Sequence, residues 1–169
     1  MNCRMTFVAA TFALSSSGMA AELAKSGSIE GQVYIHTVQK IDEIEAAGGM
    51  KGYINEEFEF HVPKQRGELL DGMSGRCLAY GKYSDGGAFK ESGRCIKVDA
   101  DGDKIFEEYE VQLSDAKDTT PGKARFLGGT GKYTGLRATL TFTGENWPAI
   151  SKTDTMISGS YKGEYTIGK

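Results

Sequence analysis

Apolar and polar residues alternate with a period of two along most of the chain. The segment INEEFEFHV shows this most clearly, with an apolar face that consists of Ile54, Phe58, Phe60 and Val62. Its other face consists of Glu57, Glu59 and His61. Such alternation is typical of a strand with one face on the core and one in water. We therefore expect the phenylalanines to be buried and His61 to lie on the surface.

Segments 136–142 and 157–167 alternate in the same way, and four further segments resemble strands: GSIEGQVYIH, RCLAYGKY, AFKESGRCIKV and KIFEEYEVQL. Turn-forming sequences separate them, at Ser84–Gly87, Asp99–Asp103, Thr119–Gly122 and Gly144–Pro148. About eight strands with short connections predict an all-β domain, either an antiparallel barrel or a sandwich.

One segment, HTVQKIDEIEAAGG, favours a helix. Val38, Ile41 and Ile44 recur at every third residue. Thr37 is a suitable N-cap and Gly48 a suitable end. An irregular strand followed by a loop is the alternative, so the domain contains at most one short helix.

Residues 1–20 have the order of a secretory signal peptide. Arg4 supplies a positive charge, Met5–Leu14 an apolar run, and Ala20 a small residue before the cleavage point. The apolar run is too short to span a bilayer. We therefore expect an exported bacterial protein, periplasmic or secreted, with no membrane span and a single domain over residues 21–169.

Two cysteines, Cys77 and Cys95, remain once the signal peptide is removed with Cys3. An even number of cysteines in an oxidising compartment predicts a disulfide, and their spacing fits neither a CxxC redox pair nor a zinc site. In a hairpin centred on Gly86, Cys77 and Cys95 lie directly opposite each other on neighbouring strands, where a disulfide is feasible.

The segment FLGGTGKYTG is rich in glycine, with Gly128, Gly129, Gly131 and Gly135. A phosphate-binding loop would need a glycine in place of Phe126, a serine or threonine in place of Tyr133, and a following helix. An alternating strand follows instead. We predict a strand, a glycine corner and a strand, in which these structural glycines occupy positions that side chains would disturb.

The longer segment FLGGTGKYTGLRATLTF resembles the F-x-GGTGKY-x-G pattern of allene-oxide-cyclase-like and dirigent-like β-barrels, including many uncharacterised exported bacterial proteins. GRCLAYG and GRCIKVDADGDKIFEEY resemble segments of those bacterial proteins. The resemblance implies a single antiparallel eight-stranded β-barrel with an apolar central cavity, often in a homodimer or homotrimer. It also implies either cyclisation directed by cavity shape or a role without catalysis. No catalytic residue of the cyclases can be matched to this sequence.

Three aspartates, Asp99, Asp101 and Asp103, have the spacing of a calcium loop. Lys104 follows where such a loop needs glycine, and strands rather than helices flank it. A tight Asp-Gly hairpin is the favoured interpretation, and calcium binding is the alternative.

Glu107 shares its strand face with a mainly apolar set: Ile105, Tyr109, Val111 and Leu113. A buried carboxylate is costly unless it is paired, and a paired one is a candidate functional group. The favoured interpretation is that a bulge or the barrel mouth lets Glu107 reach water. Inward positions are also expected for Tyr109, Tyr161 and Tyr165, which with Glu107 form the candidate ligand-binding set.

The net charge of −3 disfavours nucleic acid as a partner, because binding phosphates requires a basic face. No pattern indicates a cofactor or a metal other than the calcium alternative. The expected function is non-catalytic, with a small apolar or aromatic ligand in the barrel or a structural and interaction role. A cyclase or isomerase acting on a flexible hydrophobic substrate is the alternative.

Overall fold

Eight antiparallel strands form one closed barrel in the computed structural model, which describes residues 23–46, 50–84, 89–113 and 119–168. Each strand pairs with the next, and the last pairs with the first. The strands are β1 (Ser26–Ala46), β2 (Met50–Pro63), β3 (Ser74–Tyr83), β4 (Phe89–Val98), β5 (Lys104–Leu113), β6 (Thr119–Gly129), β7 (Leu136–Asn146) and β8 (Asp154–Ile167). The predicted eight-stranded barrel is confirmed, and the described residues contain one 3₁₀ turn, Gly131–Tyr133, and no longer helix.

The helix predicted from HTVQKIDEIEAAGG is wrong, because β1 continues through this segment to Ala46. Its residues pair with β2 on one side, with register shifts on either side of Ile41. Up to Val38 they also pair with β8. Strand partners on both sides outweigh the local periodicity, as tertiary context commonly does. The proposed end at Gly48 lies outside the described residues.

The turn predicted at Thr119–Gly122 is also wrong. These residues begin β6, and Pro121 lies opposite Thr143 of β7. The predicted turn at Asp99–Asp103 does separate two strands. The turn predicted at Gly144–Pro148 is right only for residues 147–148, because β7 continues to Asn146. Residues 85–87 of the Ser84–Gly87 turn lie outside the described part of the chain.

The disulfide Cys77–Cys95 joins β3 to β4 in the predicted register. Their Cα atoms are 4.0 Å apart, and the two residues are direct cross-strand partners. Both are buried. The bond therefore fixes the inward parity of two adjacent strands.

A dry core fills one end of the barrel. The connection from β2 to β3 folds inward there and buries Leu69, Leu70 and Met73. They pack with apolar residues of the strands and of the glycine corner, namely Ile29, Ile105, Phe126, Tyr133, Leu136 and Ile167. These side chains fill this end of the barrel. Burial of each large one stabilises the folded state by roughly 1.5–3 kcal/mol.

The glycine corner joins β6 to β7 beside this core. Gly131 has a φ of 50°, and a Cβ there would lie 1.9 Å from the Asp103 carboxylate. A Cβ on Gly129 would lie 2.2 Å from the carbonyl oxygen of Lys104. The structural interpretation of the corner is thus supported, and its segment continues as strand β7 rather than as a helix.

Strand β2 has the opposite orientation to the one predicted. Glu57, Glu59 and His61 are buried, with His61 only 5% exposed, whereas Phe58 and Phe60 are 43% and 48% exposed. The expected surface position of His61 is therefore wrong. The polar face of this strand lines the barrel, and its apolar face is on the outside.

Candidate functional site

The barrel interior beyond the dry core is polar on one side. Among the residues whose burial is described, the buried polar and charged ones come from β1, β2, β4 and β5: Thr37, Asn55, Glu57, Glu59, His61, Glu91, Lys97 and Glu107. This set holds four carboxylates but only one lysine. Buried charges are costly unless they are paired, so their arrangement determines what the interior can bind.

Small residues of β3 and β4 create the space in which two tyrosines reach these carboxylates. A Cβ on Gly81 would lie 2.0 Å from the Tyr53 ring, and one on Gly93 would lie 2.4 Å from the Tyr109 ring. Each glycine is the direct cross-strand partner of the tyrosine that covers it. The tyrosine rings therefore lie flat across neighbouring strands and direct their hydroxyls at glutamates.

Glu57 and Glu91, which we call the carboxyl pair, share the hydroxyl of Tyr109. The Tyr109 oxygen lies 2.9 Å from Glu57 Oε2 and 3.0 Å from Glu91 Oε1. Glu91 also accepts hydrogen bonds from the Tyr53 hydroxyl at 2.9 Å and from Asn55 Nδ2 at 3.1 Å. All the direct partners described for the pair are neutral side chains.

A single hydroxyl proton cannot be donated to both carboxylates, so one carboxyl of the pair must hold a proton if both contacts are hydrogen bonds. Burial, reinforced by repulsion from Glu91, raises the pKa of Glu57 to about 8. Burial also raises the pKa of Glu91, although three donors favour its ionised form. Glu57 is therefore the protonated member at neutral pH, donating to Tyr109, which in turn donates to Glu91.

Lys97 is the centre of a second group, the lysine cluster, formed with Glu59, Glu107 and His61. Its ammonium is 1% exposed, forms ion pairs with Glu59 and with Glu107 (3.1 Å), and lies 3.1 Å from His61 Nε2. His61 Nε2 is also 3.3 Å from Glu59 Oε2. Its Nδ1 is buried and has no hydrogen-bond partner among the described residues.

The charges of the lysine cluster are unequally shared. Burial opposes ionisation of Glu59, but attraction to Lys97 and His61 prevails and lowers its pKa to about 2. Burial raises the pKa of Glu107 to about 7 in spite of Lys97. Burial also lowers the pKa of His61, which is therefore neutral at physiological pH. The cluster thus contains a firm Lys97–Glu59 ion pair and a second carboxyl that titrates near neutrality.

Both groups line a cavity of about 340 Å³ in the barrel. The opposite wall is apolar and is formed by residues of β1 and β6–β8, namely Val33, Ile35, Ala124, Leu140, Phe142 and Ile157. This volume is in the range of small-molecule sites, and an eight-stranded barrel is wide enough to hold one small ligand. Convergent polar groups facing an apolar wall are the arrangement that orients an amphiphilic molecule.

The residues of the predicted ligand-binding set are placed differently from one another. Glu107, Tyr109 and Tyr161 line the cavity, while Tyr165 packs in the dry core. The expectation that Glu107 reaches water is wrong, because it is 8% exposed and paired with Lys97. A register shift does adjoin it, between Phe106 and Glu107.

Of the six residues that form the carboxyl pair and the lysine cluster, sequence reasoning missed five: Glu57, Glu59, His61, Glu91 and Lys97. A signal for two of them was present. Glu107 lies opposite Cys95, and residues 91 and 97 share the strand face of Cys95. Once the inward parity of Glu107 is accepted, Glu91 and Lys97 follow as inward residues.

The three aspartates of the calcium alternative lie in the hairpin between β4 and β5. The ammonium of Lys132 is 2.7 Å from carboxylate oxygens of both Asp99 and Asp101, and Asp103 accepts the backbone N–H of Lys132. In the described parts of the chain, one group of three potential metal-ligating side chains lies close together, and it consists of Glu59, Cys77 and Cys95. Those two cysteines are bonded to each other, so this group offers a metal only one carboxylate.

No protein-family model and no curated protein sequence matches this chain. Within the described residues, no helix is both long and apolar enough to cross a membrane.

Proposed function

We propose that the barrel binds a small molecule with an apolar or aromatic body in its interior cavity, without catalysis. The observation that carries the proposal is the cavity itself, about 340 Å³ with one apolar wall and one polar wall. A purely structural barrel would fill this space with large side chains, because interiors are normally close-packed.

Titration with the neutral fluorophore N-phenylnaphthylamine tests this proposal. Ala124 is buried on the apolar wall, so Ala124→Phe should fill the cavity and abolish the fluorescence enhancement. The matched control is Lys123→Phe, on the exposed face of the same strand, which should retain binding. Circular dichroism must show that both variants are folded. Equal binding by the two variants would contradict an interior site.

A second candidate function is a cyclase or isomerase that acts on a flexible hydrophobic substrate in the same cavity. The observation that favours it is that two interior carboxyl groups, those of Glu57 and Glu107, have pKa values raised to near neutrality. General acid–base catalysis is most effective when the pKa of the catalytic group lies near the working pH. Incubation with unsaturated epoxides and enones, followed by chromatography for isomers of unchanged mass, tests it. Products that persist in both Glu57→Gln and Glu107→Gln would contradict this role.

We also propose membership of the allene-oxide-cyclase-like and dirigent-like β-barrels and export from a bacterial cell. The closed eight-stranded barrel and the glycine corner between β6 and β7 support the first proposal. The disulfide supports the second, since such bonds persist in oxidising compartments. Mass spectrometry of the protein from its native host should find a chain that starts near Ala21, and an intact Met1 would contradict export.

A further proposal is that the outer face of β1–β5 contacts a second copy of the chain. This face exposes an apolar set that consists of Tyr34, Phe58, Phe60, Val62, Leu78, Tyr80, Ile96 and Phe106. Exposed apolar side chains that gather on one face of a sheet mark interaction surfaces. The same face carries the ion pairs Arg76–Glu56 and Arg94–Glu108, so it holds both signs of charge and is complementary to itself.

Light scattering tests this interface. Wild-type protein should be a homodimer or homotrimer, and the double variant Phe60→Ser with Leu78→Ser should be a monomer. Ile150→Ser is the control, because Ile150 is also an exposed apolar residue but lies outside strands β1–β5. A monomeric wild type at high concentration, or a double variant that stays associated, would overturn the proposal.

A further inference from the structure

We propose that the ligand of the cavity is an organic cation, a small amine whose ammonium group binds beside the carboxyl groups of Glu57 and Glu91 and whose apolar body lies on the opposite wall. This inference rests on the proposed binding function and adds the chemical class of the ligand. It comes from the unequal distribution of positive charge inside the barrel.

Among the residues whose burial is described, Lys97 is the one buried lysine, and its ammonium group is already paired. Lys97 forms ion pairs with Glu59 and Glu107, and it acts on Glu57 only as a weaker, longer-range attraction. Within the described part of the molecule, the direct partners of Glu57 and Glu91 are neutral side chains. The carboxyl pair is therefore an anionic site whose countercharge is a proton.

An independent observation comes from the neighbouring strand. The hydroxyl oxygen of Thr37 is buried and has no hydrogen-bond partner among the described residues, and Thr37 is the direct cross-strand neighbour of Glu57. The residue is 8% exposed and lines the same cavity. A buried hydroxyl without a partner is costly, and it is satisfied when a ligand supplies a donor.

The acceptors match the donors of an ammonium group. A primary ammonium has three N–H groups, and the site offers two carboxylates and the Thr37 hydroxyl. Tyr53 and Phe89 line the cavity with nearly parallel rings, 6.2 Å between centroids. Aromatic rings attract cations as well as apolar groups, so they suit the atoms next to the ammonium.

A metal ion fits less well. Calcium takes six to eight oxygen ligands and magnesium six. Where the structure is described, no third carboxylate, histidine or cysteine joins Glu57 and Glu91 in a metal-sized group. An organic ammonium needs fewer acceptors and uses the apolar wall as well.

Binding of the cation should release a proton. In the free protein Glu57 holds a proton at neutral pH, and the groups facing it are Thr37 on β1, Glu91 on β4 and Tyr109 on β5, with Glu59 and Lys97 at longer range. An ammonium ion that binds the ionised pair displaces this proton to solvent, so charge is conserved. At pH values below the pKa of Glu57, the affinity for the amine should therefore increase about tenfold for each unit by which the pH is raised.

Calorimetry with three probes of equal size tests the inference: phenethylamine, phenethyl alcohol and phenylacetate. The amine should bind at least tenfold more tightly than the alcohol, and phenylacetate should not bind. Amine affinity should increase about tenfold from pH 6 to pH 7. Glu57→Gln should remove both the preference and the pH dependence, whereas Glu110→Gln, an exposed carboxyl on β5, should keep them.

The outcomes separate the two levels of the proposal. Equal binding of amine and alcohol leaves the cavity function intact and overturns the cation inference, as does calcium binding without amine binding. No binding of any probe overturns both. An amine preference that survives Glu57→Gln also overturns the inference. If Glu57→Gln does not fold, Thr37→Val serves instead, and it should weaken amine binding while leaving alcohol binding unchanged.

Discussion

Replacement of Lys97 by methionine removes the single cation of the lysine cluster while preserving much of the side-chain volume. Lys97 is 1% exposed and contacts Glu59, Glu107 and His61. In the variant, the carboxyl groups of Glu59 and Glu107 have no direct cationic partner among the described residues, apart from the weakly basic His61. The perturbation therefore isolates what the buried ammonium contributes.

The magnitude follows from the titration of Glu59 and from the cost of breaking a buried ion pair. A carboxyl whose pKa falls from 4.5 to about 2 on folding stabilises the protein by about 3 kcal/mol at neutral pH. Removal of one partner from a buried pair typically costs about 3–5 kcal/mol. We expect Lys97→Met to lower the free energy of unfolding by an amount in this range at pH 7.

The sign of the pH dependence is specific. In the wild type the contribution of Glu59 is complete above its ordinary pKa and is lost as the pH falls toward its lowered pKa. In the variant Glu59 has no cation, so burial raises its pKa and acid favours the folded state. The stability difference between the two proteins should therefore shrink as the pH falls from about 7 to about 3.

Urea unfolding across this pH range measures the difference. The control is Lys90→Met, which removes an exposed lysine from the same strand and should change stability by less than about 0.5 kcal/mol. If Lys97→Met costs no more than the control, or if its cost does not depend on pH, the account of the cluster is refuted.

Three further predictions concern stability. Glu57→Gln should stabilise the protein at pH 7 by up to about 3 kcal/mol, because the raised pKa of Glu57 is a cost that grows above pH 4.5, and urea unfolding should show no such gain at pH 4. Cys77→Ser should cost about 3 kcal/mol through the lost bond to Cys95, and an unchanged thermal midpoint would exclude this role. Gly131→Val should cost about 1–3 kcal/mol and Lys132→Ala less than about 1 kcal/mol, since Lys132 is 40% exposed; a reversed order in calorimetry would contradict the corner interpretation.

The alternation in each strand predicted an all-β domain and left a barrel and a sandwich open, and the resemblance of the glycine-rich segment to known β-barrels favoured the barrel. Each short hairpin also has a centre from which cross-strand pairs can be counted. The pairing of Cys77 with Cys95 followed from the hairpin centred on Gly86, and the structure confirms it. The same count fails between β2 and β3, because ten residues, 64–73, connect them without a tight turn. The parity of β2 could therefore not be transferred from its neighbours.

Alternation also shows that a strand has two faces without showing which face is inside. In β2 the apolar residues were the natural choice for the core, and the structure places Glu57, Glu59 and His61 there instead. The pairing of Lys97 with Glu59 joins residues 38 positions apart in sequence and depends on this inversion. No local property of either segment predicts it.

The inversion of β2 also links the two unusual surfaces of the molecule. A slip of one residue would exchange its faces, burying Phe58 and Phe60 and returning Glu57 and Glu59 to water. Hydrophobic burial alone favours that slip by several kcal/mol. The observed register is instead held by pairing with β1 and β3, and by the ion pair between Lys97 on β4 and the inward Glu59. Conflict between local pattern and global structure concentrates where function is exerted. The register of β2 thus contributes Glu57, Glu59 and His61 to the polar cavity wall and Phe58, Phe60 and Val62 to the exposed apolar face. A variant that restores the ordinary polarity of β2 should weaken the two together.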